Sequence, residues 1–101
     1  MSLIDLRFQH GQTIDEARRR LRRAVDEVHR QFGPTIQSET WSPDGDRVKL
    51  EGVGFWVEMV VDAHTVHAKG DIVLLGQLLG GRMRARFNRI LEGIFDKSLP
   101  P

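Results

Sequence analysis

Apolar positions change their period along this chain. From Leu3 to Gln9 they alternate, with Ile4, Leu6 and Phe8 on one side and Asp5, Arg7 and Gln9 on the other, which predicts a short strand. From Ile14 the period lengthens: Ile14, Ala17, Leu21, Ala24, Val25, Val28 and Phe32 recur at three- and four-residue steps and predict a helix with one apolar stripe. Thr13 and Glu16 have the spacing of a capping box at its start. Gly33-Pro34 is expected to stop it, the glycine as a left-handed cap and the proline as a residue that cannot continue.

Between Thr35 and Gly70 the period returns to two. Thr35 to Ser42 leads to Pro43-Asp44-Gly45-Asp46, where proline presets one dihedral angle and glycine permits positive φ, so a hairpin into Arg47 to Val53 is expected. Val48 and Leu50 share a face there; Gly52 and Gly54 around Val53 mark a turn or bulge. In the next strand Phe55, Val57, Met59 and Val61 lie on one side and Trp56, Glu58 and Val60 on the other. After an Ala63-His64 turn, Thr65 to Gly70 returns with Val66 and Ala68 inward. The last segment, Arg82 to about Leu99, carries Met83, Phe87, Ile90, Leu91, Ile94 and Phe95 at helical spacing, with Gly80-Gly81 as a joint before it. The order β-α-β-β-β-β-α predicts a single α+β domain over residues 1–101: an antiparallel sheet of four to five strands with two amphipathic helices packed on one face. Trp56 and Val60 then face away from the helices. With Trp41 joining them, they form a candidate face for a partner or a second copy of the chain.

Composition narrows the classes. A net charge of +1 gives no bulk electrostatic case for a specific nucleic-acid partner. The absence of cysteine removes disulfide scaffolds, thiolate zinc sites and cysteine nucleophiles. The apolar stretch around Ile72 to Leu79 is far shorter than the roughly 20 residues a membrane-spanning helix needs. The alternating start, with Asp5 early, is unlike a signal peptide, and a cytoplasmic location is expected.

Charge is uneven locally. The first helical segment has six arginines (Arg18, Arg19, Arg20, Arg22, Arg23, Arg30) against four acids, and Asp15–Arg19, Glu16–Arg20 and Asp26–Arg30 have favourable acid-first spacing. The last has Arg82, Arg84, Arg86, Arg89 and Lys97 against Glu92 and Asp96, with no acid before its arginines. This is the less compensated patch and the candidate anion contact.

Catalytic chemistry is not evident in the pattern. His64 and His67 sit three apart on or beside a strand, His10 and His29 belong to other elements, and no metal or cofactor is expected. No serine lies in a nucleophile elbow, and Glu39, Glu51 and Glu58 alternate with core residues as solvent-facing positions do. Gly76, Gly80 and Gly81 lack the lysine and hydroxyl of a phosphate loop.

His10 shortly before Glu16-Ala17-Arg18, Phe32-Gly33 at the helix end, Val66-x-Ala68, Leu74-Leu75 and Gly81-Arg82-Met83 together resemble the polyhydroxyalkanoic acid system family. The resemblance spans nearly the whole chain. It implies a small bacterial protein encoded near genes of polyester storage granules, and it carries over no catalytic residue. The expected function is therefore a non-enzymatic accessory or binding protein associated with polyhydroxyalkanoate granules. Leu74, Leu75, Leu78 and Leu79 are its candidate apolar contact, and Arg82, Arg84, Arg86 and Arg89 meet a granule surface or granule protein. The alternative is a small-molecule-binding domain, or secondarily an enzyme, with a pocket between sheet and helices.

Overall fold

The computed structural model describes the backbone of residues 2–72 and 77–95, and the side-chain surroundings of these residues other than 2, 3, 35, 72 and 77–84. Strand β1 (Ser2–Gln9) is followed by helix α1 (Ile14–Phe32), a short 3-10 turn (Gly33–Thr35), and strands β2 (Ile36–Trp41), β3 (Arg47–Gly52), β4 (Phe55–Val61) and β5 (Thr65–Ile72). Helix α2 (Gln77–Phe95) closes the fold. The strands form one antiparallel sheet in the order β1-β5-β4-β3-β2, so a four-stranded meander receives the N-terminal strand beside its last member. The α+β fold and the element order are those the periodicity predicts.

Alternation in the strands and the stripe on α1 meet in a single core. Ala17, Leu21, Ala24, Val25 and Val28 of α1 pack against Val48, Leu50, Val57, Met59 and Val61, all at 2% exposure or less. Burying each large member contributes about 1.5–3 kcal/mol, enough to hold a polar-rich helix that propensity alone would leave marginal. Helix α1 crosses β4, while α2 lies over β1 and β5 and beside α1. The α2 side of the core holds Phe87, Ile90, Leu91 and Phe95.

Two boundaries differ from expectation. Gly33 has φ −37° and ψ −61°, a right-handed conformation, so it is no left-handed cap. The chain instead tightens into the 3-10 turn with Pro34 in its first positions, where a fixed φ is favourable and the missing N–H costs nothing. Helix α2 also begins at Gln77, so Gly80-Gly81 lies inside the helix and is not a joint before it. Glycine is penalised in a helix by only about 1 kcal/mol, and the i, i+4 series Leu79, Met83, Phe87 runs through the pair.

Turns follow their chemistry. Gly45 (φ 79°) closes the β2–β3 connection and Gly54 (φ 77°) the two-residue β3–β4 turn. At Gly70 the constraint is steric: an added Cβ would lie 2.2 Å from the Trp56 carbonyl oxygen.

Candidate anion-contact groove between the helices

Most arginines of α1 are engaged. The Thr13 hydroxyl accepts the Glu16 N–H at 3.1 Å. The Glu16 carboxylate takes Arg19 at 2.6 Å and Arg20 at 3.3 Å, the largest influences holding its pKa below the ordinary value. Arg18 joins Asp15 at 3.1 Å and also reaches Asp46 in the β2–β3 turn. Arg30 pairs with Glu27, whose carboxyl is lowered to about 2 by hydrogen bonds from Arg30 and then Gln31. Of the three acid-first pairs expected, Glu16–Arg20 forms. Asp15 and Glu27 use the i, i+3 step instead, to Arg18 and Arg30, because at that spacing the guanidinium already lies beside the carboxylate.

Arg20 has a different role from its neighbours. It is 4% exposed, and its Nη1 donates to the Ile94 carbonyl oxygen at 2.7 Å. That oxygen lies in the last turn of α2, where carbonyls have no partner in their own helix and the dipole favours a cation. Arg20 thus ties the C-terminal end of α2 to the first half of α1.

The two remaining arginines of α1 diverge. Arg22 stacks over the Trp41 ring, 4.9 Å from its centroid. Arg23 instead lines a groove of about 420 Å³ with Glu27 and Gln31 of α1 and with Arg86 and Arg89 across it on α2. Ile90, Gly93 and Ile94 supply its apolar side. Among the described residues Arg23, Arg86 and Arg89 have no ion-pair partner, and the one acid present, Glu27, is already held by Arg30. Three cations beside an apolar strip, with the one acid among the described lining residues paired to Arg30, leave locally uncompensated positive charge.

The structure therefore brings together Arg86 and Arg89 of the expected basic patch and adds Arg23, which helical spacing within α2 alone does not reveal. Leu74 and Leu75 lie outside the described residues. Leu78, Leu79, Arg82 and Arg84 belong to α2, but their side chains lie outside what is described, and the burial of the segment Ile72 to Leu79 falls there too.

Trp41 does not join Trp56 and Val60 on the open face as expected. Trp41 lies directly opposite Val48, on the same face of the sheet, and packs against the core on the helix side. Its Nε1–H donates to Glu39 at 2.5 Å. Glu39, opposite Leu50, is also on the helix side, where it meets His29 of α1 at 2.5 Å. Burial pushes the Glu39 carboxyl up, but the Trp41 and His29 hydrogen bonds prevail and lower it. Trp56 (37% exposed) and half-buried Val60 do lie on the open face. There Lys49 sits over the Trp56 ring at 5.6 Å and Lys69 approaches Glu58 at 3.9 Å.

His10 is fully buried and locally satisfied. Its Nε2 lies 2.8 Å from the Asp62 carbonyl oxygen, while Nδ1 accepts the Gln12 N–H at 2.9 Å. This pattern fits a neutral ring carrying its proton on Nε2 and closing the loop between β1 and α1. His67 bonds Asp5 at 2.8 Å, and His64 is exposed in the β4–β5 turn.

Fold and groove define a small α+β domain with a basic channel between two helices on one side of an antiparallel sheet. The chain belongs to the polyhydroxyalkanoic acid system family: the family described as "Putative polyhydroxyalkanoic acid system protein" matches residues 4–95. Comparison with curated proteins gave no match, and comparison with solved structures gave none. Among the described residues, no helix is long and apolar enough to cross a membrane.

Proposed function

We propose that the chain is a non-enzymatic accessory protein of the polyhydroxyalkanoate system that holds anionic groups at the granule surface through the groove between α1 and α2. One observation carries this reading: Arg23, Arg86 and Arg89 line a single groove with Ile90 and Ile94. Interfacial attachment combines buried apolar area with cationic attraction, and each basic residue close to an anionic surface contributes about 1 kcal/mol. Three arginines thus account for roughly a hundredfold in affinity. The proposal includes Arg82 and Arg84 as further cationic contacts and Leu74, Leu75, Leu78 and Leu79 as apolar contacts.

The rival reading places a small molecule between sheet and helices. Leu21, Val25, Val28, Met59, Leu91 and Phe95 occupy that layer at 2% exposure or less. The buried polar side chains among the described residues, His10 and Arg20, are committed to backbone partners. A surface contact is the better-supported mode.

Co-sedimentation with isolated granules, and with vesicles containing or lacking anionic lipid, tests the proposal. Wild-type protein is expected to pellet with granules and anionic vesicles, and the Arg23→Gln, Arg86→Gln, Arg89→Gln variant to lose most of that binding. Undiminished pelleting of the variant would sink it.

A further inference from the structure

We infer that β1 is the contact edge of a homodimer, in which the strand pairs antiparallel with its own copy about a two-fold axis at Leu6. The sheet order leaves β1 and β2 as the two edges. They are not equally protected. The β2 edge is six residues long with a register shift between Ile36 and Ser38, a common means of blunting a free edge. The β1 edge runs eight residues, contains no proline and pairs with β5 without a shift.

Hydrogen-bond parity identifies the groups on the free side. The His10 N–H donates to the His64 carbonyl oxygen at 3.1 Å, continuing the β1–β5 register. Alternation then turns the N–H and C=O groups of Ile4, Leu6 and Phe8 toward β5 and those of Leu3, Asp5, Arg7 and Gln9 toward the free edge. A two-fold pairing must match outward residues with outward residues. Three such registers are centred near the middle of the strand: Asp5 on Asp5, Leu6 on Leu6, and Arg7 on Arg7.

Charge selects among them. Centring on Asp5 or on Arg7 sets like charges directly opposite each other. Centring on Leu6 sets Asp5 opposite the partner's Arg7 and Arg7 opposite the partner's Asp5, each such pair exchanging both backbone hydrogen bonds. The same register aligns Ile4 with the partner's Phe8 on the helix side. That suits Leu6 and Phe8, which face the core yet are only half-buried. On the open side Asp5 is 76% exposed, with one oxygen on His67, and exposed Arg7 has no ion-pair partner among the described residues.

The axis stands perpendicular to the sheet, so both copies carry their helices on the same side of one continuous sheet. This dimer stands independently of the anion-groove reading. Where both hold, two grooves address one surface together, and attachment gains from bivalency.

Light scattering on the intact chain, with charge reversals, tests the inference. Wild type is expected to be dimeric, and Asp5→Arg or Arg7→Asp alone to weaken association by about tenfold or more, since each reversal turns two symmetry-related attractions into repulsions. An equimolar mixture of the two variants is expected to associate again, because every opposed pair is then attractive. Leu6→Cys, in a chain with no other cysteine, is expected to form an intersubunit disulfide on oxidation, as the two copies face each other on the axis. A monomeric wild type, a dimer indifferent to both reversals, or folded single variants that do not re-associate on mixing would each overturn it. So would a Leu6→Cys chain that stays uncrosslinked.

Discussion

The open face of the sheet and the groove between the helices are both rich in charge, but the charges are arranged in opposite ways. Across the sheet, Lys49, Glu58, Lys69 and Asp5 occupy one cross-strand row, so each carboxylate or ammonium has an opposite neighbour on the next strand. Trp56 is partly screened beneath Lys49. Such a surface is locally neutral and solvated, and removing one member costs little because exposed pairs contribute only about 0–1 kcal/mol. In the groove, like charges from two helices flank an apolar strip, and the one acid lining it among the described residues is occupied by Arg30. The lesson is that charge count does not locate a contact surface. What matters is which charges remain uncompensated after the chain has folded.

This contrast can be broken or sharpened by substitution. The largest expected effect is on binding: neutralising Arg23, Arg86 and Arg89 to glutamine lowers anionic-vesicle affinity about a hundredfold. A charge-matched control on the open face, Arg47→Gln, Lys49→Gln, Lys69→Gln, changes it several-fold at most; equal losses from the two variants would dissolve the distinction between the faces. Next comes the tie between the helices. Arg20→Met keeps the packing of the stem but strands the Ile94 carbonyl and half of the Glu16 network, so denaturant unfolding should show a loss of about 2 kcal/mol. A variant as stable as wild type would show that the Arg20 tie does not hold the helix pair together. The smallest effect has the opposite sign. An added Cβ at Gly93 meets no atom within 4 Å, so Gly93→Ala should raise stability by up to about 1 kcal/mol through helix propensity, read by denaturant unfolding.

The fold was legible because burial enforces period. The alternation of Phe55, Val57, Met59 and Val61 and the stripe from Ile14 to Phe32 each leave one buried face, and the structure uses both. Less legible were features set by exact register or by contacts across elements. The face of Trp41 depends on the residue count through the turn from Ser42 to Asp46, and the observed pairing with Val48 puts it on the helix side. Glu39, though exposed, shares that side. The start of α2 was hidden by a glycine pair whose helical penalty is smaller than the packing of the turns that follow. Arg23 carried a usable signal: Arg22 and Arg23 are the arginines of α1 with no acid three or four residues before them, and both find roles away from intrahelical pairs. Which of them meets α2 depends on the crossing of the helices, and local spacing does not encode that. The burial of His10 and Arg20 likewise depends on partners 52 and 74 residues away.

Hydrogen exchange on the protein bound to anionic vesicles tests the central claim most directly, because it maps the contacted face without altering a residue. The account predicts added protection in the second half of α1 and along α2 from Arg86 to Ile94, with the exchange of β3 and β4 unchanged. Protection confined to β3 and β4 around Trp56 and Val60, with α1 and α2 unaffected, would contradict it.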